Sequence, residues 1–372
     1  MIKKNLYFDI AATTPLNSDV TSHMNKINQT IFGNPSSIHQ IGQKAHNIIE
    51  RARKKIASLL HCKESEIYFT SGGSESNNIA LRGVLNKGDH LITSSYEHPA
   101  ILEVAKYLEK NEIEVSYINP DEDGIVKSKA INKAIKQNTK LISIMFANNE
   151  LGSTNPIEEI GQLCADKNIY LHSDAVQCIG KKNIRLSEST INILSIGAHK
   201  FYGPKGIGAI YIQNGTIINP LIIGGGQEKG ISPGTENPSL ISGMATALEI
   251  AMNNLEKNNL KIEKMEKLFT SLLDQTDIRY SINGSKRLQG FINITFFDYD
   301  GYSLLLNLDM NNIAISYGSA CSSGSAKASN ALLVTGMKEE IAKNTVRISI
   351  GNFIEEDDIK QLVNTLKKII IK

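Results

Sequence analysis

Short apolar runs rich in β-branched residues alternate with segments of helical periodicity between residues 66 and 212. Such alternation is typical of an α/β fold with a mainly parallel, helix-covered sheet. In these sheets ligands bind beyond the carboxyl ends of the strands, so the polar residues that follow each run are candidates for function. The predicted strands lie in EIYFT, DHLITSSYE, EVSYINP, KLISIMFANN, IYLHSDAVQ, ILSIGAHK and IGAIYIQ.

The last third of the chain has a different pattern. Apolar residues recur at three- and four-residue intervals from 241 to about 273, which predicts one long helix that bridges two domains. Strands are predicted in RYSIN, FINITFF and TVRISIG, followed by a final amphipathic helix. We therefore expect a large domain over residues 14–255 and a smaller C-terminal α+β domain, formed by residues 1–13 and 256–372.

Composition limits the classes of function. Of 372 residues, 41% are hydrophobic and 21% charged, and the formal net charge is +2. This balance is typical of a globular protein and indicates neither disorder nor a nucleic-acid partner. The N-terminus lacks the apolar core of a signal peptide, and no apolar run reaches the roughly 18 residues of a membrane span. A cytoplasmic location without a membrane partner is expected.

The four cysteines have neither paired spacing nor a CxxC motif, so neither a disulfide framework nor a metal site is expected. Cys164 and Cys178 lie in apolar patterns and are predicted to be small core residues. Cys62 lies in a polar turn and carries no predicted role. Cys321 is surrounded by Gly, Ser and Ala in SYGSACSSGSAKAS, which predicts a thiol on a mobile loop.

Polar residues follow several of the predicted strands. A Gly-Ser turn with Gly73 and Ser74 opens a helix, and such a turn can bind a phosphate through backbone N–H groups. His98, Asn149 and Asp174 each end another strand, although each residue type is also common at helix starts and turns. No single one of these features defines a site.

Lys200 ends the apolar run SIGAHK and precedes the rigid GPKG turn. Most lysines place their amine in water. Here the flanking residues would hold the amine near the sheet, where desolvation lowers its pKa and makes it a nucleophile for carbonyls. A reactive lysine, a carboxylate and a phosphate site together indicate pyridoxal 5'-phosphate (PLP) as cofactor.

Many motifs in this order and spacing resemble one family. The chain is similar to the cysteine desulfurases of NifS/IscS type, which are fold-type I PLP enzymes of the class V aminotransferase superfamily. The similarity spans nearly the whole chain. Its motifs are YFDIAATTP, FGNPSSIHQIGQKA, FTSGGSESNN, EHPA, NNELG, HSDAVQCIGK, AHKFYGPKGIGA, GGGQEKG, PGTENP, SYGSACSSGS and VRISIG.

The resemblance implies a role for individual residues. It assigns Cys321, Lys200 and His98 to catalysis, with Cys321 as the thiol that receives sulfur. It assigns Arg347, Asn34 and Asn149 to substrate binding. The cofactor-binding residues that it implies are Lys200, Asp174, Gln177, His98, Gly73, Ser74, Asn149, His199 and Thr235.

The resemblance also implies a reaction and partners. L-Cysteine would be converted to L-alanine, with a persulfide left on Cys321. Thr235 would reach the cofactor phosphate of a second subunit, which implies a homodimer. A sulfur-acceptor protein, either an iron–sulfur scaffold or a relay for tRNA, DNA or cofactor thiolation, would take the sulfur.

Two positions depart from the family pattern and keep alternatives open. Gly197 stands where the family usually has a phosphate-binding serine, and Ser232 stands where it usually has an arginine. A weakly active relative that serves as a binding partner is therefore one alternative. A selenocysteine lyase or another fold-type I PLP enzyme is a second, although a pure aminotransferase needs no thiol such as Cys321.

Overall fold

The computed structural model describes residues 5–318 and 328–371. Helices and three β-sheets make up this part of the chain. The strands are β1 (Leu6–Tyr7), β2 (Ile67–Thr70), β3 (His90–Ser94), β4 (Glu114–Ile118), β5 (Thr139–Ser143), β6 (Tyr170–Asp174), β7 (Ile193–Gly197), β8 (Gly208–Ile212), β9 (Tyr280–Asn283), β10 (Phe291–Phe296), β11 (Ile313–Ala314) and β12 (Thr345–Ser349). The helices are α1 (Ser18–Thr30), α2 (Gln40–Leu59), α3 (Gly73–Val84), α4 (Pro99–Glu109), α5 (Ser128–Ala134), α6 (Ile157–Asp166), α7 (Pro238–Asn253), α8 (Leu255–Leu273), α9 (Gly301–Met310), α10 (Asn330–Leu333), α11 (Glu339–Lys343) and α12 (Glu356–Ile370).

The largest sheet has seven strands in the order β2-β8-β7-β6-β5-β3-β4. β8 is antiparallel to both of its neighbours, and the other pairs are parallel. Every residue of β3, β7 and β8 is buried, as expected for strands covered on both faces. The predicted α/β fold with a mainly parallel, helix-covered sheet is confirmed.

Two smaller sheets lie in the remainder of the described chain. β12, β10 and β9 form an antiparallel sheet, and β1 pairs with β11 in parallel. Side chains from these strands share a hydrophobic core with α8, α9 and α12. β9, β10, β12 and α12 match the strands and the final helix predicted there. The boundaries at residues 13/14 and 255/256 stay a prediction.

The single long helix predicted from 241 to about 273 is wrong. Two helices, α7 and α8, meet at Asn254, whose backbone has φ −108° and ψ 11°. The Asn254 side-chain amide donates a hydrogen bond to the Ile250 carbonyl at 2.9 Å. An Asn side chain that competes for backbone carbonyls favours a helix end, and apolar periodicity alone does not record this.

The strand directions bring the polar strand ends together. β2 and β7 flank β8 and are both antiparallel to it, so β2 runs in the same direction as the parallel strands. The start of α3, the start of α4 and the ends of β6 and β7 therefore meet at one edge of the sheet. Among the described residues, no helix combines the length and apolar character needed to cross a bilayer.

Candidate active site

A cavity of about 170 Å³ opens at this edge of the sheet. It contains most of the residues singled out from the sequence and adds residues from the N-terminal segment and from the segment that follows β5. Its lining residues are Ala11, Ala12, Gly73, Ser74, Asn77, His98, Met145, Ala147, Asn149, Asp174, Val176, Gln177, His199, Lys200 and Arg347.

Lys200 places its amine in this cavity. A 3-10 turn, Ala198–Lys200, follows β7, and the amine donates to the carbonyls of Ala11 at 2.5 Å and Ala12 at 2.7 Å. Burial, reinforced by the positive charges of Lys181 and Arg347, lowers the pKa of Lys200 to about 7. A substantial fraction of the amine is therefore uncharged at neutral pH, as a nucleophile for carbonyls requires.

Asp174 ends β6 and is held on both carboxylate oxygens. Oδ2 accepts from Asn77 Nδ2 at 2.7 Å, and Oδ1 accepts from the Val176 N–H at 3.0 Å. Gln177 Nε2 donates to the Ala11 carbonyl at 2.9 Å. Asn77 was not predicted as a site residue. The sequence did contain a signal for Asn77. It lies one helical turn after Gly73, so the two residues lie on the same side of α3.

His98 is at once a helix cap and a cavity residue. Its Nδ1 accepts from the Ala100 N–H at 3.1 Å and so caps α4. Burial lowers the pKa of His98, while Asp174 opposes this shift and Lys200 adds to it. The neutral ring, accepting at Nδ1, carries its proton on Nε2. The helix-start interpretation is confirmed by this cap, and the role of His98 in the site stays a prediction.

Arg347 projects from β12 and is only 2% exposed. Its Nη1 donates to the Asn149 carbonyl at 2.7 Å, and its Nη2 donates to Asp9 Oδ1 at 2.6 Å. These bonds fix the guanidinium plane. Asp9 belongs to the motif YFDIAATTP, whose individual residues received no role from the sequence, yet it supplies the carboxylate that orients Arg347.

Gly73 and Ser74 begin α3 beside Val176. A Cβ added at Gly73 would lie 2.7 Å from Val176 Cγ2, so the close approach of these elements requires glycine. The N–H groups of the first turn of α3 provide an anion-binding end. His199 Nδ1 lies 3.1 Å from Thr13 Oγ1. Burial, together with Lys200 and Lys181, lowers the pKa of His199 to about 4, so this ring is neutral.

The two departures from the family pattern lie near α3. Gly197 ends β7, and a Cβ there would lie 3.3 Å from Val176 Cγ1, so a serine would require Val176 to shift slightly. Ser232 Oγ donates to Glu75 Oε1 at 2.7 Å, and Glu75 Oε2 accepts from the Ser71 N–H at 2.6 Å. Ser232 therefore helps to hold Glu75 in the first turn of α3 against the backbone that precedes the helix.

Two of the predicted site residues lie elsewhere, and a third lies outside the described residues. Asn34 and Thr235 line a different cavity of about 350 Å³, so the structure does not bring Asn34 next to Arg347 within one chain. Cys321 lies outside the described residues. Burial raises the thiol pKa of Cys62, Cys164 and Cys178 to about 12, which makes these three poor nucleophiles. Cys164 and Cys178 are buried core residues as predicted.

Glu97, which directly precedes His98, is a second residue that was not predicted. It is 4% exposed, and its Oε1 accepts from Ser94 Oγ at 2.6 Å and from the Met145 N–H at 2.9 Å. Burial raises the pKa of Glu97 to about 8. The available signal was a carboxyl group shortly after the end of a buried strand.

Comparison with known proteins assigns the family. Residues 6–362 match the family described as Aminotransferase class-V. The chain belongs to this family. Within it, a protein named cysteine desulfurase IscS from Clostridium botulinum is 42% identical over 377 residues, which cover 99% of this chain and 95% of that protein. A mitosomal cysteine desulfurase from Encephalitozoon cuniculi is 39% identical, with 97% of this chain and 85% of that protein covered.

Solved structures of class-V proteins agree with this assignment. A NifS-like protein superimposes with a TM-score of 0.92 at 34% identity, covering 98% of this chain and 99% of that one. A structure described as SspA in complex with cysteine has a TM-score of 0.84 at 36% identity, covering 94% of this chain and all of that one. The resemblance to NifS/IscS cysteine desulfurases and the fold-type I architecture are confirmed.

This class-V enzyme has PLP as its cofactor, and the cavity fits that group. Gln177 Oε1, Asn77 Oδ1 and Arg347 Nε are buried and have no hydrogen-bond partner among the described residues. Such unsatisfied atoms are costly in an empty interior and fit a polar ligand. The uncharged amine of Lys200 suits an aldehyde, and the fixed carboxylate of Asp174 suits a cationic nitrogen.

Proposed function

We propose that this protein is a cysteine desulfurase that takes sulfur from L-cysteine, releases L-alanine and leaves a persulfide on Cys321. The observation that carries the proposal is the Lys200 amine, which has no carboxylate partner among the described residues and has its pKa lowered to about 7 inside the cavity. The relatives named cysteine desulfurase, at 42% and 39% identity over nearly the whole chain, support the same reaction.

The cavity residues would hold the cofactor as follows. When bound, PLP supplies an electrophilic aldehyde and a ring that withdraws electron density from the bonds of the substrate. Lys200 would bind the aldehyde, and Asp174 would hold a proton at the ring nitrogen. His98 and Gln177 would contact the ring. The phosphate and its surroundings are assigned to Gly73, Ser74, His199 and Asn149.

Arg347 would bind the carboxylate of L-cysteine. A guanidinium fixed by Asp9 and the Asn149 carbonyl presents its remaining N–H donors in a set direction, which is the geometry that suits a carboxylate. Asn149 is placed beside this anion by the same contact. Lys200 and His98 Nε2 then move protons between the substrate carbons and solvent.

The sulfur transfer needs no added oxidant, because the electrons released at sulfur are taken up at carbon. The carbon–sulfur bond of the substrate breaks, and a sulfur–sulfur bond forms to the Cys321 thiolate. The substrate carbon is reduced to a methyl group, while its sulfur is oxidised to the persulfide level. The family resemblance implies that Cys321 is the nucleophile, and the raised thiol pKa values of Cys62, Cys164 and Cys178 support this assignment because they keep those three thiols protonated.

A homodimer would complete the site. Thr235 and Asn34 line a surface cavity separate from that of Lys200, and the neighbouring apolar residues Phe32 and Ile38 are 81% and 95% exposed. Apolar groups this exposed favour coverage by another chain. We assign the coverage to a second copy, with Thr235 contacting the partner's phosphate and Asn34 assisting its substrate site.

The acceptor and the compartment complete the proposal. The persulfide would pass to an iron–sulfur scaffold or a thiolation relay protein. A reducing cytoplasm fits four cysteines that lack disulfide spacing. Fractionation of cells followed by immunodetection tests the compartment, and the enzyme should be recovered with cytoplasmic markers.

Product analysis tests the reaction. L-Cysteine and a thiol reductant are supplied, and alanine and sulfide are measured for wild type, Lys200→Ala, Cys321→Ala and the control Cys62→Ala. Lys200→Ala should abolish both products, Cys321→Ala should lose sulfide release, and Cys62→Ala should match wild type. Full sulfide release by Cys321→Ala would show that the persulfide assignment is wrong. Faster turnover of L-selenocysteine than of L-cysteine would favour a selenocysteine lyase.

A further inference from the structure

A second lysine, Lys181, lies beside the cavity and is not explained by the reaction above. It follows β6 in the segment that carries Gln177, and its amine donates to the Gln177 carbonyl at 3.0 Å. The amine also lies 5.5 Å from the centroid of the Phe291 ring. In the part of the chain that the structure describes, no carboxylate forms an ion pair with Lys181.

Hydrogen bonds connect Lys181 to Lys200. The Gln177 backbone carbonyl accepts from Lys181, while the Gln177 side-chain amide donates to the Ala11 carbonyl at 2.9 Å. The same Ala11 carbonyl accepts from the Lys200 amine at 2.5 Å. The two amines are thus linked through one glutamine and one peptide group.

A small cavity lined by both polar and apolar residues is also shared by the two lysines. It has a volume of about 30 Å³, and its lining includes Lys181, Lys200, Tyr202 and Asn352. A space of this size holds about one water molecule, and the polar residues of the lining can provide its hydrogen-bond partners. Lys181 and Lys200 therefore border the same small space.

We propose that Lys181 is a positioning residue for the reaction of Lys200, acting through Gln177 and through the positive charge that it places beside the shared cavity. This inference rests on the proposed role of Lys200 as the amine that binds the cofactor. It assigns to Lys181 no contact with the substrate or with the cofactor.

The charges around Lys200 support this role. Lys181 and Arg347 favour its neutral form, and Asp9 and Asp174 oppose them. His98 and His199 are held neutral and add no net charge at neutral pH. Burial lowers the pKa of Lys181 itself to about 8, so its charge is present at pH 7 and is lost at alkaline pH. Removal of this charge should raise the pKa of Lys200.

The inference is tested without a desulfurase assay. PLP is added to the cofactor-free full-length protein, and its capture is monitored by absorbance at pH values from 6 to 9.5. The rate of PLP capture is plotted against pH, and the midpoint of its rise reports the pKa of Lys200. In Lys181→Met this midpoint should move upward by roughly 0.5 to 1 pH unit, because a nearby positive charge is lost. The rate at pH 6 should then fall about threefold to tenfold, and rates should converge above pH 9. Lys181→Gln should behave alike, and Lys181→Arg should keep the wild-type midpoint.

The controls separate this inference from the proposed function. Lys182→Met alters the neighbouring lysine, which does not line the shared cavity, and should leave the midpoint unchanged. Wild-type midpoints in Lys181→Met and Lys181→Gln would overturn the inference. So would a rate lowered equally at every pH without rescue by Lys181→Arg, since that is a structural defect. Capture by Lys200→Ala at the wild-type rate would instead overturn the role of Lys200.

Discussion

Two regions of the molecule contain largely buried cationic side chains, and the pKa values of these side chains are shifted in opposite directions. Arg53 on α2 donates to both carboxylate oxygens of Glu228, at 2.8 and 2.7 Å. Within the described part of the chain, Lys200 and Lys181 donate only to backbone carbonyls. We call Arg53 and Glu228 the paired region, and Lys200 and Lys181 the unpaired region.

The difference distinguishes structure from chemistry. Glu228 outweighs burial and raises the pKa of Arg53, so the charge is permanent and holds the segment Gln227–Gly230 against β2. Burial without a carboxylate partner lowers the pKa values of Lys200 and Lys181 to about 7 and 8. A buried cation with a carboxylate partner keeps its charge, whereas a buried lysine without one has a lowered pKa and loses its charge more readily.

The largest effect on stability is expected from breaking the paired region. Arg53→Met leaves the Glu228 carboxylate buried, with only the Phe69 N–H as donor. The free energy of unfolding should fall by about 3 to 5 kcal/mol, as measured by denaturant titration. A loss below about 1 kcal/mol would show that the paired region is no more than a surface ion pair.

Glu97 extends the comparison to a group of negative charge. Among the described residues its carboxyl group is buried and has no cationic partner. Its pKa is raised from an ordinary 4.5 to about 8. The folded state therefore holds a proton that the unfolded state loses above pH 4.5, so stability falls as the pH rises toward 8. Glu97→Gln imitates the protonated acid and should be about 1 to 3 kcal/mol more stable than wild type at pH 8.

The pH dependence provides the control for Glu97. The advantage of Glu97→Gln should shrink as the pH falls toward 4.5, where the wild-type group is protonated in both states. Thermal unfolding at pH 5 and pH 8 measures this trend. An advantage that stays the same at both values would mean that Glu97 does not titrate as proposed.

The smallest effect is expected where pairing occurs without burial. Lys87 and Glu112 form an ion pair at 2.6 Å, but their side chains are 72% and 67% exposed. Lys87→Met should change the free energy of unfolding by about 1 kcal/mol or less, because water already solvates both charges. A loss of stability as large as that of Arg53→Met would mean that the contribution of an ion pair does not depend on its burial.

The sequence predicted the strand-end residues because parallel strands end at one edge, so Lys200, Asp174 and His98 had to be neighbours. It did not predict Asn77, Asp9 or the Ala11 carbonyl. These groups act through contacts between segments far apart in the chain, and Ala11 contributes a backbone atom that no residue type signals. The break at Asn254 was missed for a local reason, since one side-chain hydrogen bond ends the helix inside a continuous apolar pattern.

The central claim is that the unpaired amine of Lys200 binds the cofactor. The most direct measurement reduces the PLP-loaded protein with borohydride, digests it and locates the added cofactor mass by mass spectrometry. The mass should be found on Lys200 and absent from Lys181 and Lys205. Cofactor mass on Lys181, on another lysine, or on no lysine would contradict the account.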